Sequence, residues 1–520
     1  MSSAPITPTG TDRHWLKIAL FLALPLLTLY HLHLLSVPFP LESRENAPVL
    51  ITRLLLTGGN PYAFEEMPLY SNAYGPIYNL VVLPFARVLG ASLATHRLVS
   101  GLALAGACIL LYLACRRLGA TKFPAAVAAT AWWAHLLVGT TPLARVDAVG
   151  LLLFSTAFTF PLSLNFSARS YALAAAAAIT AFFAKQYFFT IIVGLTLSAL
   201  LIRGIGFATI FAVTASTCSI AAVVLVSFFL PTFIENALLI GWRAYVRDLD
   251  FLLTEVLLWA RENAFLLFLV LVAAFTDRHR RFTSFFALVR TSIDFDGWCQ
   301  TLSGFAITRL SSWGRRNYHL VLGISMLPFT LKASSHPGNV FVYSAQLMTP
   351  FLLMVAARAA SGSGTWRPAL LALHLIVAMT ALPLRELPGE RTAWAAWRST
   401  LEPSRLPLLP AELSLVADDL GKPIRDTGLS AYWEFALLKL TPANAREVER
   451  YRALLTAQAD DLRLGHHDII VAAPSSTLAR QAENGDYHLT PPLFLPEPPL
   501  NPRRWNLSHR MRAINVYVHN

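Results

Sequence analysis

The sequence predicts a polytopic α-helical membrane protein with about 11 spans and a small C-terminal extracytoplasmic α/β domain. Three observations predict it. Hydrophobic residues make up 55% of the 520 positions and charged residues only 14%, with a mean hydropathy of +0.51, too little polar surface for a soluble chain of this length. Apolar runs long enough to cross a bilayer recur through the first three quarters of the chain. The basic residues behind the net charge of +12 fall in short clusters between those runs, as cytoplasmic loops do, and not along one face as in nucleic-acid binders.

The first run, 15–37, follows Arg13 and Lys17. It exceeds a signal-peptide core, lacks a clear small-residue cleavage site, and reads as a retained anchor. The remaining candidate spans are 95–115, 123–142, 147–163, 170–184, 186–202, 206–230, 262–276, 317–331, 340–358 and 367–384. With the N-terminus inside, the even-numbered spans end in Arg116, Arg117 and Lys122, in Arg169, in Arg203, in Asp277 to Arg281, and in Arg358. The basic segment 277–316, with Arg278, Arg280, Arg281, Arg290, Arg309, Arg315 and Arg316, then also faces the cytoplasm. An odd count puts the C-terminus outside, in an inner (plasma) membrane setting. The apolar stretch 76–90 breaks this parity as a span, so it reads as an interfacial helix in the first outer loop.

Two domains follow: 1–384, a multi-span membrane domain whose first outer loop is 38–94, and 385–520, an extracytoplasmic soluble domain rich in Pro, Glu, Asp and Arg. Within the latter, Thr441-Pro442 opens a helix that runs through Glu447 to Leu454, and Asp468-Ile469-Ile470-Val471 reads as a buried strand. Cys108, Cys115 and Cys218 lie in apolar runs and Cys299 in a basic loop, so no disulfide framework is legible. The pair His466-His467 would point apart on a strand, and no His or Cys cluster has metal-ligand spacing. No cofactor motif is present, and a divalent metal is left open.

This topology gathers ionisable residues at the outer face: Glu42, Arg44 and Glu45, then Arg145 and Asp147, then Lys185, then Lys332 and His336. Charge at membrane depth is expensive, so a recurring set on one side points to a site, although solvated loops also carry charge. The first outer loop adds a Gly58-Gly59-Asn60-Pro61-Tyr62 turn, which lacks the elements of a phosphate-binding loop, and a Tyr74-Gly75-Pro76-Ile77-Tyr78 segment after Asn72. Lys185-Gln186 marks an outer helix end, and Lys332 precedes Gly338-Asn339 before the tenth span.

An acidic residue beyond the first span, then these two turns, then Arg145-Val146-Asp147, Lys185-Gln186 and Lys332 to Asn339 in that order resemble the GT-C superfamily of polyprenyl-phosphate-dependent membrane glycosyltransferases. The resemblance spans the membrane part and, loosely, the outer domain. It implies transfer of a hexose or pentose from a lipid-phosphate carrier to a glycan or lipid acceptor at the outer face of the cell envelope. The resemblance implies a carboxylate base, Glu45 or, one turn earlier, Glu42. It also implies cations for the leaving phosphate, Arg145, Lys185 and Lys332, with Arg243 and Arg247 able to join them. Asp147 would orient Arg145. Gln186, His336, Asn339, Tyr62 and Tyr74 complete the expected substrate-binding set. Trp242, Tyr245 and Tyr187 to Phe189 would line a sugar or prenyl groove, or anchor helices at the interface. Bland alternatives stand beside these: a solvated carboxylate on an interfacial helix for Glu42 and Glu45, a structural pair for Arg145 and Asp147, and snorkelling amines for Lys185 and Lys332.

A transporter or lipid flippase is the rival class, and a scaffold for an outer partner a third. The odd span count, the outer domain and the lack of charges at mid-membrane favour the enzyme.

Overall fold

A computed structural model describes residues 14–41, 43–66, 70, 72, 74–138, 143–240, 247–273, 304–335, 343–362, 366–380, 382, 387–410, 413–424, 448–450, 452–453, 456–457, 460–461, 464–472, 477–483, 486–496 and 511–519. Glu42, His336, Asn339, Arg243, Trp242, Tyr245 and the proposed helix start at Thr441 lie outside them.

The described chain is mostly helical, and each of the eleven apolar segments overlaps a helix. In order these are α1 (His14–Ser36), α4 (Leu93–Arg117), α5 (Lys122–Val138), α6 (Asp147–Ser163), α7 (Ala168–Phe182), α8 (Ile191–Arg203), α9 (Ile205–Phe229), α11 (Ala264–Ala273), α13 (Tyr318–Ser334), α14 (Thr349–Ala359) and α15 (Trp366–Thr380). Among the described residues, four helices qualify as spans by length and composition alone, His14–Ser36, Leu93–Arg117, Gln186–Arg203 and Ile205–Phe229, or five if the bent pair Leu249–Glu262 and Ala264–Ala273 is one span. The intervening helices are α2 (Asn46–Leu56), α3 (Ile77–Leu89), α10 (Leu249–Glu262), bent by 76° against α11, and α12 (Gly304–Arg316).

One contiguous core holds the bundle together, with α4 on α6, α6 on α7, α8 on α13, and α15 on both α1 and α5. Trp132, fully buried on α5, donates its indole N–H to the Ala345 carbonyl at 2.8 Å, satisfying a donor that lipid could not. The helix ends sort into two faces. On one, arginines and short turns are stitched together: Arg116 caps the Ala120 carbonyl at 2.8 Å, Arg358 the Arg316 carbonyl at 2.6 Å, and Arg315 the Asn165 carbonyl at 3.3 Å. Arg358 here opposes the negative end of α12, whose last carbonyl it takes. The other face carries the described segments 37–41, 43–45, 57–66, 74–76, 143–146, 183–190 and 335.

After α15 come α16 (Leu387–Leu401), α17 (Ser414–Asp419) and α18 (Thr477–Glu483) with strands β1 (Pro407–Leu408), β2 (Ile469–Ala472), β3 (Tyr487–Leu489), β4 (Leu493–Pro496) and β5 (Met511–His519). The sheet runs β1-β2-β5-β3, with β4 pairing β5; β1 and β2 are parallel and the β5 pairings antiparallel. All four β2 residues are buried, which is why that stretch is a continuous apolar run. His466 and His467, expected on a strand, precede β2; they meet Asp461 and the Leu406 carbonyl, each at 3.1 Å. This unit sits on the loop face. Phe39 stacks on Trp394 at 5.9 Å, Arg53 of α2 forks onto Asp418 and Asp419 of α17, and Arg450 reaches the Glu65 carbonyl.

The two motifs of the first loop have structural reasons. Gly58 has φ of +84° and ends α2 in the left-handed region. A Cβ on Gly75 would overlap the Phe183 carbonyl oxygen, which also accepts the Ile77 N–H at 3.1 Å. Pro76 then starts α3, whose Tyr78 is buried with its hydroxyl 3.2 Å from Ser100. The Tyr-Gly-Pro segment is therefore a backbone-to-backbone splice between the first loop and the turn that carries Lys185. Gly75→Ala must push the two backbones apart; the expected outcome is a loss of about 1–3 kcal/mol, measured as a lower midpoint of thermal unfolding in detergent, with Gly58→Asn, which tolerates positive φ, nearly silent.

Candidate active site

Two buried charge clusters lie next to each other on the loop face, and one segment joins them. The first is Glu45, at the end of a 3-10 turn over Ser43–Glu45. It is 0% exposed, as is Arg97 in the first turns of α4. Arg97 Nε and Nη2 donate to Glu45 Oε1 and Oε2 at 2.8 and 2.7 Å. The backbone N–H groups of Ala144 and Leu41 add donors at 2.8 and 2.7 Å. The remaining guanidinium hydrogens reach the Leu34, Val37 and Phe39 carbonyls at 3.2, 2.6 and 2.8 Å. All five donors of the fork are thereby used. Burial alone would raise the Glu45 carboxyl, but the Arg97 charge and the hydrogen bonds from Arg97, Ala144 and Leu41 outweigh it and hold it below the ordinary value. The solvated-carboxylate alternative for Glu45 is thus overturned, and in this arrangement neither oxygen faces an open space.

The second cluster is centred on Asp147, the first residue of α6, where the helix end favours a negative charge. Lys185 Nζ donates to Asp147 Oδ1 at 2.7 Å and Gln346 Nε2 to the same oxygen at 3.3 Å, while Arg145 Nε lies 3.4 Å from Oδ2. All four side chains are nine-tenths buried or more. Lys185 is extended between α7 and the 3-10 turn Gln186–Thr190, so its side chain leaves the helix path and enters the cluster. Its ammonium also lies 5.4 Å from the Tyr74 ring centre and 5.0 Å from that of Tyr343, which packs at 4.5 Å on Tyr187. The snorkelling alternative for Lys185 does not fit this geometry: the ammonium is turned inward, onto a carboxylate and two aromatic faces. Two cations, Arg145 and Lys185, thus converge on the one carboxylate of Asp147.

Ala144, whose N–H is held by Glu45, is one residue before Arg145 and three before Asp147. The Glu45–Arg97 pair therefore fixes the segment that presents the second cluster. The first loop supplies the third wall. Tyr62 donates its hydroxyl to the Tyr74 carbonyl at 2.6 Å and receives Asn72 Nδ2 at 2.9 Å, while Asn72 Oδ1 accepts the Tyr74 N–H at 3.0 Å. The Tyr62 carbonyl takes the Thr232 N–H and hydroxyl at 3.1 and 2.7 Å. Burial pushes the Tyr62 phenol well above its ordinary pKa, which keeps it a donor.

Of the expected residues, the structure brings together Arg145, Asp147, Lys185, Tyr74 and, through Tyr74, Tyr62. Gln186 instead reaches the Ala237 carbonyl in the π-helical turn Ile234–Ile240. Lys332 lies in the last turn of α13, partly exposed on the loop face. Gln346, Tyr343 and Arg97 were not among the expected residues. Gln346 projects from a π-helical turn over Ser344–Met348, a departure from α-geometry that re-aims side chains at sites. A polar or charged residue inside an apolar span was the signal available for Arg97 and Gln346.

No protein-family model matches the chain and no curated protein matches it. Among solved structures, ArnT from Cupriavidus metallidurans in the apo state is 13% identical, with a TM-score of 0.48 over 96% of this chain and 97% of that one. The same protein bound to undecaprenyl phosphate is also 13% identical, with a TM-score of 0.45 over 97% of this chain and 98% of that one.

Glu45→Gln removes the charge opposite a buried guanidinium. Breaking such a pair costs about 3–5 kcal/mol, so a large fall in thermal stability is expected, and Glu45→Leu with Arg97→Met should recover part of it. Because the folded carboxyl titrates low, its contribution is present above the unfolded value near about 4.3 and is lost as pH falls through the folded value. An unchanged unfolding midpoint in Glu45→Gln would remove the pair as the anchor of this face.

Proposed function

We propose that the chain is a membrane glycosyltransferase that moves a sugar from a polyprenyl-phosphate carrier to an acceptor on the outer, periplasmic face, with the loop face turned outward, the arginine face in the cytoplasm and eleven spans between. The observation that carries the reading is the convergence of Arg145, Asp147 and Lys185 from two sequence motifs into one buried cluster in which two cations meet one carboxylate. In this reading Arg145 and Lys185 stabilise the negative charge that develops on the leaving lipid phosphate, where a low dielectric makes fixed cations effective. Asp147 holds both side chains at one point, and Gln346 holds Asp147. Lys332 on the same face is a further candidate for the phosphate. Tyr74 and Tyr343 cover the ammonium and must shift to admit a donor.

The acceptor hydroxyl needs a carboxylate to take its proton as the oxygen attacks the anomeric carbon. The lone pairs of Glu45 are engaged by Arg97 and two backbone donors. We therefore assign the base to Glu42 and give Glu45 the task of holding the loop and the Arg145 segment. The gathering of the two charge clusters at helix ends on one face supports the enzyme over the transporter.

The test is transfer by purified protein in lipid nanodiscs supplied with undecaprenyl-phosphate hexoses and pentoses, the product sugar being identified by mass spectrometry. Glu42→Gln should lower turnover by roughly 10²-fold or more, within the range of general base catalysis, while donor binding and the unfolding midpoint stay near those of the parent. Full transfer by Glu42→Gln would dismiss it as base. No transfer from any lipid-phosphate sugar, together with movement of the lipid between leaflets, would favour the flippase.

A further inference from the structure

The C-terminal unit meets the loop face through two helices, and both do so beside the Glu45–Arg97 pair. On α16, Trp394 stacks on Phe39 at 5.9 Å, and the Phe39 carbonyl accepts Arg97 Nη2 at 2.8 Å. On α17, Leu415 and Ala417 are buried, and the helix packs on α2, which starts at Asn46, next to Glu45. Leu415 joins Val49 and Leu50 of α2, Leu93 at the start of α4 and Ala144 in one buried apolar cluster. Ala144 is the residue whose N–H Glu45 accepts at 2.8 Å. A side chain of the C-terminal unit is thus built into the packing of the segment that leads to Arg145 and Asp147.

A helix of six residues is too short to persist on its own, so its neighbours must seat α17. Its last two residues, Asp418 and Asp419, lie at the helix end where negative charge is disfavoured. Arg53 of α2 offsets both. Its guanidinium forks onto Asp418 and, at 2.8 Å, onto Asp419, while Nε donates to the Ala91 carbonyl at 3.1 Å. These side chains are 30–45% exposed, so each arm of the fork is weak in water and salt weakens it further. Leu415 supplies the buried contact, and the fork a seat that solvent can loosen.

We propose that α17 positions the active site: with Leu415 packed in the cluster that includes Ala144, and Asp418 and Asp419 held by Arg53, it fixes where the 143–147 segment lies and so where Arg145 and Asp147 enter their cluster. That these two residues act on a sugar donor rests on the glycosyltransferase reading; the placement rests on the packing. Leu415 is a positioning residue that acts through Ala144, and the C-terminal unit thereby contributes to catalysis without touching substrate. The consequence is large because a misplacement of about 1 Å can cost roughly 10²-fold in rate. It falls on turnover, since cations that meet developing charge act in the transition state more than on the bound donor.

The experiment follows hydrogen exchange of the peptide containing 143–147 in full-length protein in nanodiscs, with transfer from undecaprenyl-phosphate sugars measured on the same samples. Leu415→Ala leaves a gap in the cluster, and exchange in 143–147 is expected to rise roughly ten-fold or more while peptides of α8 and α13 keep parental rates. Leu415→Met, which keeps the volume, should match the parent. Asp418→Asn with Asp419→Asn should raise the same exchange roughly two- to five-fold, and about 1 M NaCl should do so in the parent but not in that variant. This surface pair tests the proposal even where Leu415→Ala fails to fold. Turnover at saturating donor should fall roughly ten-fold or more in Leu415→Ala, with KM near the parent's. Unchanged exchange in 143–147 would overturn the proposal, as would an equal rise in every peptide, which marks Leu415 as serving overall stability alone. Faster local exchange with parental kcat would also overturn it and leave the enzyme. The local exchange changes in a protein that transfers no lipid-phosphate sugar would sink the enzyme and leave the packing role.

Discussion

The loop face depends on one buried ion pair. Arg97 spends every hydrogen of its guanidinium on Glu45 and on three carbonyls at the end of α1, and Glu45 spends its other lone pairs on Leu41 and Ala144. Five parts of the chain meet there: the end of α1, the turn after it, the start of α2, the first turns of α4 and the link between α5 and α6. A buried pair of this kind gives little net stability over an apolar packing, yet leaving either partner alone is costly. Its consequence is specificity of arrangement. The segment 143–147 can hold its hydrogen bond to Glu45 in only one position, and that position sets where Arg145 and Asp147 enter the second cluster.

The second cluster follows the same physics at the next level. Asp147 is acceptable in a water-poor environment because a helix N-terminus, Lys185, Gln346 and Arg145 all oppose its charge. Lys185 and Arg145 are in turn held in place without solvent, which is the condition under which fixed cations act most strongly on a ligand's charge. The C-terminal unit closes over this region through Phe39 on Trp394, Arg53 on Asp418 and Asp419, and Arg450 on Glu65. Structure, charge and cover thus coincide on one face, and the arginine-rich turns on the other.

Much of this was legible in the sequence, for stated reasons. Apolar runs locate the helices because lipid admits no unpaired backbone, and 76–90, which contains α3, was set apart from the spans because counting it as one breaks the parity of the basic loops. Arg145, Asp147 and Lys185 could be grouped because alternate loops must share a side. The Glu45–Arg97 pair was not legible: its partners are 52 residues apart, and no periodicity links a loop carboxylate to an arginine inside an apolar span. Gln346 reaches Asp147 across 199 residues from a π-helical turn, which has no reliable local signature. The inward course of Lys185 was likewise invisible, since it depends on an extended residue inserted between two helical turns. Sequence located the charges, and burial decided what each one does.

The orientation we propose puts the charge clusters and the C-terminal unit on the extracytoplasmic face and the arginine turns on the cytoplasmic one. Glu402 and Arg315 are exposed residues on opposite faces. With Cys218 and Cys299 replaced by serine, Glu402→Cys and Arg315→Cys can each be challenged in intact cells with a membrane-impermeant maleimide. The account predicts labelling of the cysteine at 402 in intact cells and of that at 315 only after permeabilisation; labelling of 315 in intact cells with 402 protected would contradict it.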